Sequence, residues 1–177
     1  GFTMDQQQFY QSYLLAYLYW IGLTMGSLAV LMIHHLAGGR WGFAIRRLLE
    51  AGSRTFPFMV ILFIPVILGL HNLYEWTHLD VVDADEILTH KKPYLNESAF
   101  LWRAAICFVI WGILAFFLNR WSTLQDKITE TYPTRRMQRL SAPGVLIFAL
   151  TMTVASVDWI MSLEPHWFST IFSAIYI

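Results

Sequence analysis

One run of sequence decides the fold: Ala99-Phe-Leu-Trp-Arg-Ala-Ala-Ile-Cys-Phe-Val-Ile-Trp-Gly-Ile-Leu-Ala-Phe-Phe-Leu118. It contains a single charged residue, Arg103. A helix needs roughly 20 apolar residues to cross the hydrocarbon core of a bilayer, so this run predicts a transmembrane helix. Similar runs occur at residues 13–36, 56–73 and 143–163, and a fifth starts at residue 167. We therefore predict an all-α integral membrane protein whose spans form an antiparallel transmembrane four-helix bundle.

The composition agrees with this class. Hydrophobic residues make up 56% of the chain and charged residues 14%, whereas charged residues make up about 25% of an average soluble domain. The formal net charge of +0 gives no electrostatic basis for a nucleic-acid partner. The only cysteine, Cys107, lies inside an apolar run and predicts neither a disulfide nor a metal cluster.

The segments between the runs alternate in charge. Residues 38–54 carry four arginines and one acid, and residues 120–140 are also basic. Residues 75–97 carry six acids against two lysines, and their sequence favours no particular structure. Short basic loops remain in the cytoplasm. We therefore expect 38–54 and 120–140 to be cytoplasmic and 75–97 to lie on the periplasmic face.

Prolines and glycines add expectations about individual helices. Pro143 is predicted in the first turn of the fourth span, where its missing N–H costs nothing. Pro165 is expected to end that span, and Pro65 to kink the second span. Gly22 and Gly26 form a GxxxG pair, which would let a neighbouring helix approach closely.

The stretch Gly69-Leu-His-Asn-Leu-Tyr-Glu-Trp76 places ionisable and amphipathic side chains where the second span ends. His71 titrates near neutrality and could exchange a proton with the hydroxyl of a quinol. The alternative is a histidine satisfied by a backbone carbonyl at the headgroup level. Tyr74, Glu75 and Trp76 are weaker candidates for contacts with a bound cofactor, and Glu75 and Trp76 are better explained as anchors at the membrane interface.

Asp158 lies near the outer end of the fourth span, at the membrane face assigned to His71. Ionisable residues inside a membrane are costly and usually mark a pathway or a ligand site. Asp158 could accept a proton, with Arg103 of the third span stabilising the carboxylate. The alternative is a purely structural pair between Arg103 and Asp158, and this does not exclude a functional role. Ser156 lies beside Asp158 as a further candidate for the proton path.

His34 and His35 end the first span on the cytoplasmic side. Thr24, Ser27 and His34 fall on one helical face, where hydroxyl groups leading to an imidazole could carry protons through water. The alternative is a polar helix end capped by carbonyls and water.

No redox centre or metal site is predicted within the chain. The histidines fall at different predicted depths, so paired ligation of haem is not expected. The sequence contains neither a CxxCH nor a CxxC motif. Electrons from any redox reaction would therefore have to leave through another subunit.

Two long motifs resemble a membrane subunit of bacterial alternative complex III, a quinol oxidoreductase that passes electrons to cytochrome c or auracyanin. They are Ser12-Tyr-Leu-Leu-Ala-Tyr-Leu-Tyr-Trp-Ile-Gly-Leu-Thr-Met-Gly-Ser-Leu-Ala-Val-Leu-Met-Ile-His-His-Leu-Ala-Gly-Gly-Arg-Trp-Gly42 and Asp158-Trp-Ile-Met-Ser-Leu-Glu-Pro-His-Trp-Phe-Ser-Thr170. The subunit they resemble is the second of two related polysulfide-reductase-like membrane proteins. The resemblance implies that residues 1–177 form one transmembrane domain, an incomplete piece of a longer chain.

The resemblance also implies a location and partners. The location is the bacterial cytoplasmic membrane. The partners are the related quinol-binding membrane subunit, an iron–sulfur subunit, and multihaem and monohaem cytochrome c subunits. Iron–sulfur clusters and haem c would belong to these partners, quinol or menaquinol would be the substrate, and no cofactor would be bound covalently to this chain.

The hypothesis from the sequence is a membrane subunit of a respiratory or photosynthetic quinol oxidoreductase that contributes to quinol binding, proton translocation or both. Two alternatives remain within such a complex. One is a non-catalytic scaffold that docks the iron–sulfur and haem c subunits, and the other is a proton-conducting half-channel that binds no quinol. A proton or ion transporter without redox chemistry is a third reading.

Overall fold

The computed structural model describes residues 6–38, 42, 44–127, 132–167, 169 and 171–172, without the side chains of Leu79 and Val81. Most of these residues are helical, and no strand occurs among them. Their α-helices are α1 (Gln6–Ala37), α2 (Arg46–Arg54), α3 (Phe56–Leu62), α4 (Ile64–Leu68), α5 (Leu70–Leu73), α6 (Leu79–Ala84), α7 (Glu86–Lys91), α8 (Glu97–Gln125) and α9 (Tyr132–Trp159). Short 3-10 turns lie at Glu75–Thr77 and Met161–Leu163.

Four helical stretches of the described residues are long and apolar enough to cross a membrane. They are Gln6–Ala37, Arg46–Leu68, Glu97–Gln125 and Tyr132–Leu163. The all-α class and these four apolar helices are confirmed. The predicted fifth span from residue 167 lies largely outside the described residues, as does Arg40 of the first basic segment.

The helices extend beyond the predicted apolar runs into the basic segments. Residues 46–54, predicted as loop, form α2, because Arg46 and Arg47 pair with Glu50 one helical turn later. α8 continues to Gln125, and α9 begins at Tyr132. Hydropathy therefore located the apolar part of each helix but not its charged ends.

The helices agree with the predictions for Pro65 and Pro165 but not with the prediction for Pro143, and Pro165 lies just after the fourth apolar stretch ends at Leu163. The second span is interrupted at Phe63, and Pro65 lies in the first turn of α4. This is expected because proline has no N–H with which to continue the hydrogen bonds of the preceding helix. Pro143, predicted in a first turn, instead lies inside α9. α9 begins earlier than its apolar part, so the proline removes the hydrogen bond to the carbonyl of Arg139 in mid-helix.

No helix among the described residues approaches the GxxxG pair closely at Gly26. A Cβ atom added there would meet no atom within 4 Å. The close approach involves Gly52 of α2, where an added Cβ would lie 2.4 Å from Ser27 Oγ of α1. The small residue that lets these helices meet is therefore on the partner helix.

The core lies where α1 packs on α2 and α9, and where α8 packs on α9. Aromatic rings fill its centre. The Trp159 ring lies 4.9 Å from Phe63 and 5.9 Å from Trp111, and Phe63 lies 5.0 Å from Phe108, measured between ring centroids. Ring pairs of this kind stabilise beyond the area they bury. Trp159 is thus held firmly, and so is its neighbour Asp158.

The outward faces of the long helices carry large apolar side chains. Leu15 and Leu68 are 73% exposed. Other exposed apolar residues include Trp20, Phe58, Trp102, Ile106, Val109, Phe116, Leu146 and Leu150. Such continuous apolar surface suits lipid or neighbouring helices rather than water.

The acidic segment 75–97 is ordered by two short helices. α6 and α7 follow the 3-10 turn, and the Asp85 carboxylate caps α7 by accepting from the backbone N–H of Ile87 at 2.8 Å. Lys91 Nζ donates to the carbonyl oxygen of Pro165, which ties the segment to the turn after α9. This segment therefore covers the end of the molecule that contains Asp158.

Candidate functional site

A buried ion pair joins α8 to α9. Arg103 Nε donates to Asp158 Oδ2 at 2.6 Å, and the Asp158 side chain is only 1% exposed. Its other oxygen, Oδ1, is buried and has no close hydrogen bond from the described residues, and the side chain of Tyr94 makes only a weaker hydrogen bond to the carboxylate. A buried charged pair is stable only when its geometry is good and its remaining lone pairs are satisfied. The hydrogen bonding of the carboxylate is therefore weaker on the side of Oδ1.

Tyr94 covers this pair from the acidic segment. Its ring lies 3.9 Å from the guanidinium carbon of Arg103, in cation–π geometry, and its carbonyl oxygen accepts from Arg103 Nη1 at 3.0 Å. Burial, the negative charge of Asp158 and a side-chain hydrogen bond to Asp158 raise the pKa of Tyr94 to about 12. Tyr94 is partly exposed, so it stands between the buried carboxylate and the surface.

Tyr74 fixes the end of the second apolar stretch against α9. Its hydroxyl donates to the carbonyl oxygen of Trp159 at 2.9 Å, and burial raises its pKa. Trp76 is also buried, with its ring 5.7 Å from Phe100 and 5.2 Å from Tyr74. The prediction of Trp76 as an interface anchor is therefore wrong, because the chain turns back here and packs the indole inside. Glu75, in contrast, is exposed.

His71 lies at the same end of α8 as Asp158 but in a different environment. Its side chain is 63% exposed, and its Nδ1 lies 3.5 Å from Glu97 Oε1, on the first residue of α8. The His78 ring nitrogen Nε2 lies 2.8 Å from the backbone oxygen of His71. The six residues from Glu97 to Arg103 correspond to about 9 Å along the helix. The two predicted site residues thus share one end of the molecule without forming one cluster.

A polar depression of about 280 Å³ surrounds His71. Its lining is Gln7, His71, Asn72, Leu73, Tyr74, Glu75 and His78. The imidazoles, amides and carboxylate can donate and accept hydrogen bonds. The depression is therefore suited to the polar head of a ligand.

The predicted hydroxyl row on α1 is not a continuous chain of hydrogen bonds. Thr24 Oγ1 lies 2.8 Å from Thr55 Oγ1 and also donates to the carbonyl of Trp20, and Ser27 Oγ donates to the carbonyl of Leu23. Hydroxyl groups bonded to the carbonyl four residues earlier are satisfied locally. The row therefore lacks direct links from one side chain to the next.

His34 and His35 lie at the other end of α1, with ring centroids 5.8 Å apart. The His34 ring packs against Gly42, where an added Cβ would lie 2.3 Å from Nδ1. His35 is buried, and its Nε2 has no hydrogen-bond partner among the described residues. These imidazoles lie close to the charges of Arg46 and Glu50.

Ser156, two residues before Asp158, lies far from His34 and His35. Its hydroxyl donates to the carbonyl of Thr153 at 2.9 Å. The part of α9 at the level of His34 is near Gly144, where an added Cβ would lie 3.2 Å from the sulfur of Met32. The twelve residues from Gly144 to Ser156 correspond to about 18 Å along the helix. The residues predicted as one proton path are thus divided between the two ends.

The structure contains a second buried carboxylate that the sequence interpretation missed. Glu50 is 1% exposed, and both of its oxygens are engaged. Oε1 accepts from Arg46 Nε at 2.7 Å and from the Ser122 hydroxyl, and Oε2 accepts from Arg47 Nη1 at 2.8 Å. The spacing of Glu50 from Arg46 and Arg47 was the available signal. Ser122, on α8, could not be found this way.

Further polar contacts extend the Glu50 cluster across α2 and α8. Arg54 Nε donates to Asn119 Oδ1 at 3.0 Å, and Asn119 Nδ2 donates to Ser53 Oγ at 2.9 Å. Arg47 also pairs with Asp126, and this hydrogen bond lowers the pKa of the Asp126 carboxyl. The cluster therefore holds α2 to the carboxyl end of α8.

The two carboxylate sites lie at opposite ends of α8. Asp158 contacts Arg103, and Glu50 contacts Ser122. The nineteen helical steps from Arg103 to Ser122 correspond to about 28 Å along α8, which matches the roughly 30 Å thickness of a hydrocarbon core. The arrangement can therefore supply one charged site near each face of a membrane.

Over the described ranges, which begin at Gln6 and have gaps, no three His, Cys, Asp or Glu side chains come together as a metal-ligand group. The absence of a redox centre in the whole chain remains a prediction.

Comparison with known proteins adds no assignment. The chain matches no protein-family model, and a search of curated proteins finds no match. The resemblance to alternative complex III thus remains a prediction that rests on its two motifs.

Proposed function

We propose that this chain is a membrane-embedded subunit of a quinol-oxidising electron-transfer complex, in which the end of the molecule around Asp158 handles protons. One observation carries the proposal. Asp158 is a buried carboxylate in an apolar core, paired with Arg103 through one oxygen only, and it lies at the same end as a polar depression. Ionisable residues inside a membrane helix are costly and usually mark functional sites, which supports proton exchange at Asp158.

Membrane insertion as an antiparallel four-helix bundle is part of the proposal. Four long apolar helices and their exposed apolar side chains support it. Arginines concentrate at the end that contains Glu50, so the positive-inside rule assigns that end to the cytoplasm. The end with Asp158 and His71 then faces the opposite aqueous phase, in the bacterial cytoplasmic membrane that the resemblance implies.

In the proposed reaction, a quinol releases two protons and two electrons and becomes a quinone. Its headgroup binds in the polar depression, where His71 accepts a hydrogen bond from a quinol hydroxyl and then its proton. His71 is exposed and passes the proton to the outer water. Asp158 provides a second acceptor, and Arg103 positions that carboxylate through the hydrogen bond from its Nε.

The electrons leave through partner subunits that carry iron–sulfur clusters and haem c. This assignment rests on the resemblance, which also supplies the related quinol-binding membrane subunit as a partner. Quinol is the substrate in this scheme, and the chain contributes hydrogen-bonding and proton-accepting groups rather than a redox group.

The test is made on the complex purified from its native membrane. Asp158→Asn is expected to reduce quinol oxidation about tenfold or more, the scale of lost acid–base assistance, with subunit composition unchanged. Glu86→Gln changes an exposed carboxyl on α7 and is the matched control. A photoreactive quinone is expected to label residues 71–78. A complex without quinol oxidation, or unchanged turnover in Asp158→Asn, would contradict the proposal.

A second function, a non-catalytic scaffold, is favoured by the way both ion pairs join helices. Arg103–Asp158 links α8 to α9, and Glu50–Ser122 links α2 to α8. A scaffold needs the fit between helices and not the charge, so Arg103→Met together with Asp158→Leu should keep both assembly and turnover. Loss of turnover with retained assembly favours proton handling instead.

A half-channel that conducts protons without binding quinol is favoured by the buried imidazole of His35 near Glu50. A half-channel should take up protons, and His35→Gln should abolish this uptake. The photoreactive quinone should not label the chain.

A further inference from the structure

An elongated groove lies between the α2–α3 segment and α8, away from both sites described above. Its volume is about 620 Å³. The residues that line it are Ser53, Arg54, Phe56, Pro57, Val60, Gly112, Ala115, Phe116, Asn119, Arg120 and Thr123. Neither the quinol reaction nor the ion pair at Asp158 uses this groove.

The groove is graded in polarity along its length. Phe56, Val60, Gly112 and Phe116 form an apolar part, and the polar and charged side chains lie at one end. Along α8, the lining runs from Gly112, near the middle of the helix, to Thr123, near its end. The eleven helical steps from Gly112 to Thr123 correspond to about 16 Å along α8. This length matches one leaflet, which is half of a hydrocarbon core of roughly 30 Å.

The charged end of the groove carries positive charge. Arg54 donates hydrogen bonds to Asn119 and, from Nη2, to Thr123 Oγ1 at 3.1 Å. Its side chain nevertheless remains 52% exposed. Arg120 is exposed and forms no ion pair with any residue that the structure describes. Arg54 lies 4.0 Å from Glu50, whose charge is already shared with Arg46 and Arg47. This end therefore retains excess positive charge for an anionic group.

We propose that the groove is a binding site for an anionic phospholipid of the cytoplasmic leaflet. The phosphate lies between the Arg54 and Arg120 guanidinium groups, and an acyl chain lies along Phe56, Val60 and Phe116 toward the bilayer centre. Arginine pairs phosphate oxygens through parallel N–H donors, and anionic lipids are the source of such groups at this face. A neutral quinone would fill the apolar part but would supply no anion for the excess positive charge at the polar end.

The inference rests on the membrane insertion in the proposed function and not on quinol chemistry. Alkaline extraction of membranes separates the two. Release of the chain by carbonate would contradict insertion, and with it both proposals. Retention in the pellet, followed by the absence of lipid preference, would contradict the lipid site alone.

The test uses the full chain purified in detergent and titrated with phosphatidylglycerol or phosphatidylcholine, with bound lipid counted by native mass spectrometry. Phosphatidylglycerol is expected to bind more tightly. Arg54→Gln with Arg120→Gln should weaken it about tenfold or more, since the variant removes both cations that attract the lipid phosphate. The matched control, Arg135→Gln with Arg139→Gln, removes two exposed arginines of α9 outside the groove and should change binding by less than about twofold.

A second variant keeps the test independent of folding. Val60→Trp at the partly exposed wall should fill the apolar part and reduce retention of phosphatidylglycerol while the arginines remain. A photoreactive amino acid at residue 60 identifies the occupant in native membranes. A crosslinked phospholipid is the expected product. Equal binding of the two lipids, equal loss in the control pair, or a crosslinked quinone or protein segment would overturn the proposal.

Discussion

The two ends of α8 each hold a buried carboxylate paired with arginine, but they differ in how completely the carboxylate is satisfied. Glu50 has hydrogen bonds to both oxygens, from Arg46, Arg47 and Ser122. Asp158 has its charged partner on one oxygen, no close hydrogen bond from the described residues on the other, and only a weaker hydrogen bond from the side chain of Tyr94. A saturated carboxylate holds helices together, whereas an unsaturated one can receive a proton. The comparison assigns stability to the Glu50 end and proton exchange to the Asp158 end.

The largest effect on stability is expected from Glu50→Ala. It leaves the half-buried Arg46 guanidinium and the buried Ser122 hydroxyl without their acceptor, which should lower the free energy of unfolding by about 3–5 kcal/mol. Denaturant unfolding in mixed micelles measures this change. Glu86→Ala removes an exposed carboxylate and should alter stability by no more than about 0.5 kcal/mol. Equal losses in the two variants would remove the distinction between the carboxylates.

Asp158→Asn is expected to affect activity more than stability, in contrast to Glu50→Ala. The amide oxygen still accepts from Arg103, so the loss of stability should be about 1–3 kcal/mol, while quinol oxidation falls. Arg103→Met with Asp158→Leu should recover stability to within about 1 kcal/mol of the parent, because a buried pair can be replaced by apolar packing. Turnover should stay low in this double variant. Recovery of both would identify Asp158 as structural.

Two glycines test the packing that aligns α2 with α1. Gly52→Ala places a methyl group against Ser27, and this overpacking should cost about 1–3 kcal/mol. Gly26→Ala meets open space and should stabilise by about 0.5–1 kcal/mol through helix propensity. Unfolding measurements compare the two directly. Destabilisation by Gly26→Ala would indicate a neighbouring helix at that position in the membrane.

The smallest effect is the titration of Tyr94. Below pH 10 the tyrosine is neutral in both the folded and the unfolded chain. Between pH 10 and about 12 it ionises only in the unfolded chain, so the parent should lose stability as pH rises through this window. Tyr94→Phe should lack this part of the decline. Difference absorbance between parent and variant measures the titration, and a midpoint near 10 would show that Tyr94 is not buried beside Asp158.

The sequence predicted the parts of the fold that depend on local composition. Apolar runs identified four helices, because length and hydropathy within one segment decide whether a helix suits a bilayer. The pairing of Arg103 with Asp158 was weighed as an alternative, since both fall at similar predicted depth. These conclusions needed no knowledge of how the chain folds back on itself.

The errors concern features that depend on tertiary contacts. Glu50 was counted only as one acid in a basic loop, because its partner Ser122 is 72 positions away in sequence. Trp76 was assigned to the interface, although a turn after Leu73 buries it against Phe100. Pro143 was placed in a first helical turn because prolines favour helix starts, but α9 begins earlier, at Tyr132. Charged helix ends and reversals of the chain are thus the main gaps in the sequence interpretation.

The central claim is that the Asp158 and Glu50 ends face opposite sides of a membrane, and cysteine accessibility tests it most directly. In a Cys107→Ala background, Glu86→Cys marks the Asp158 end, and Lys127→Cys, just after α8, marks the Glu50 end. A membrane-impermeant maleimide added to intact spheroplasts should label the first cysteine at once and the second only after permeabilisation. Labelling of both from one side, or the reverse order, would contradict the account.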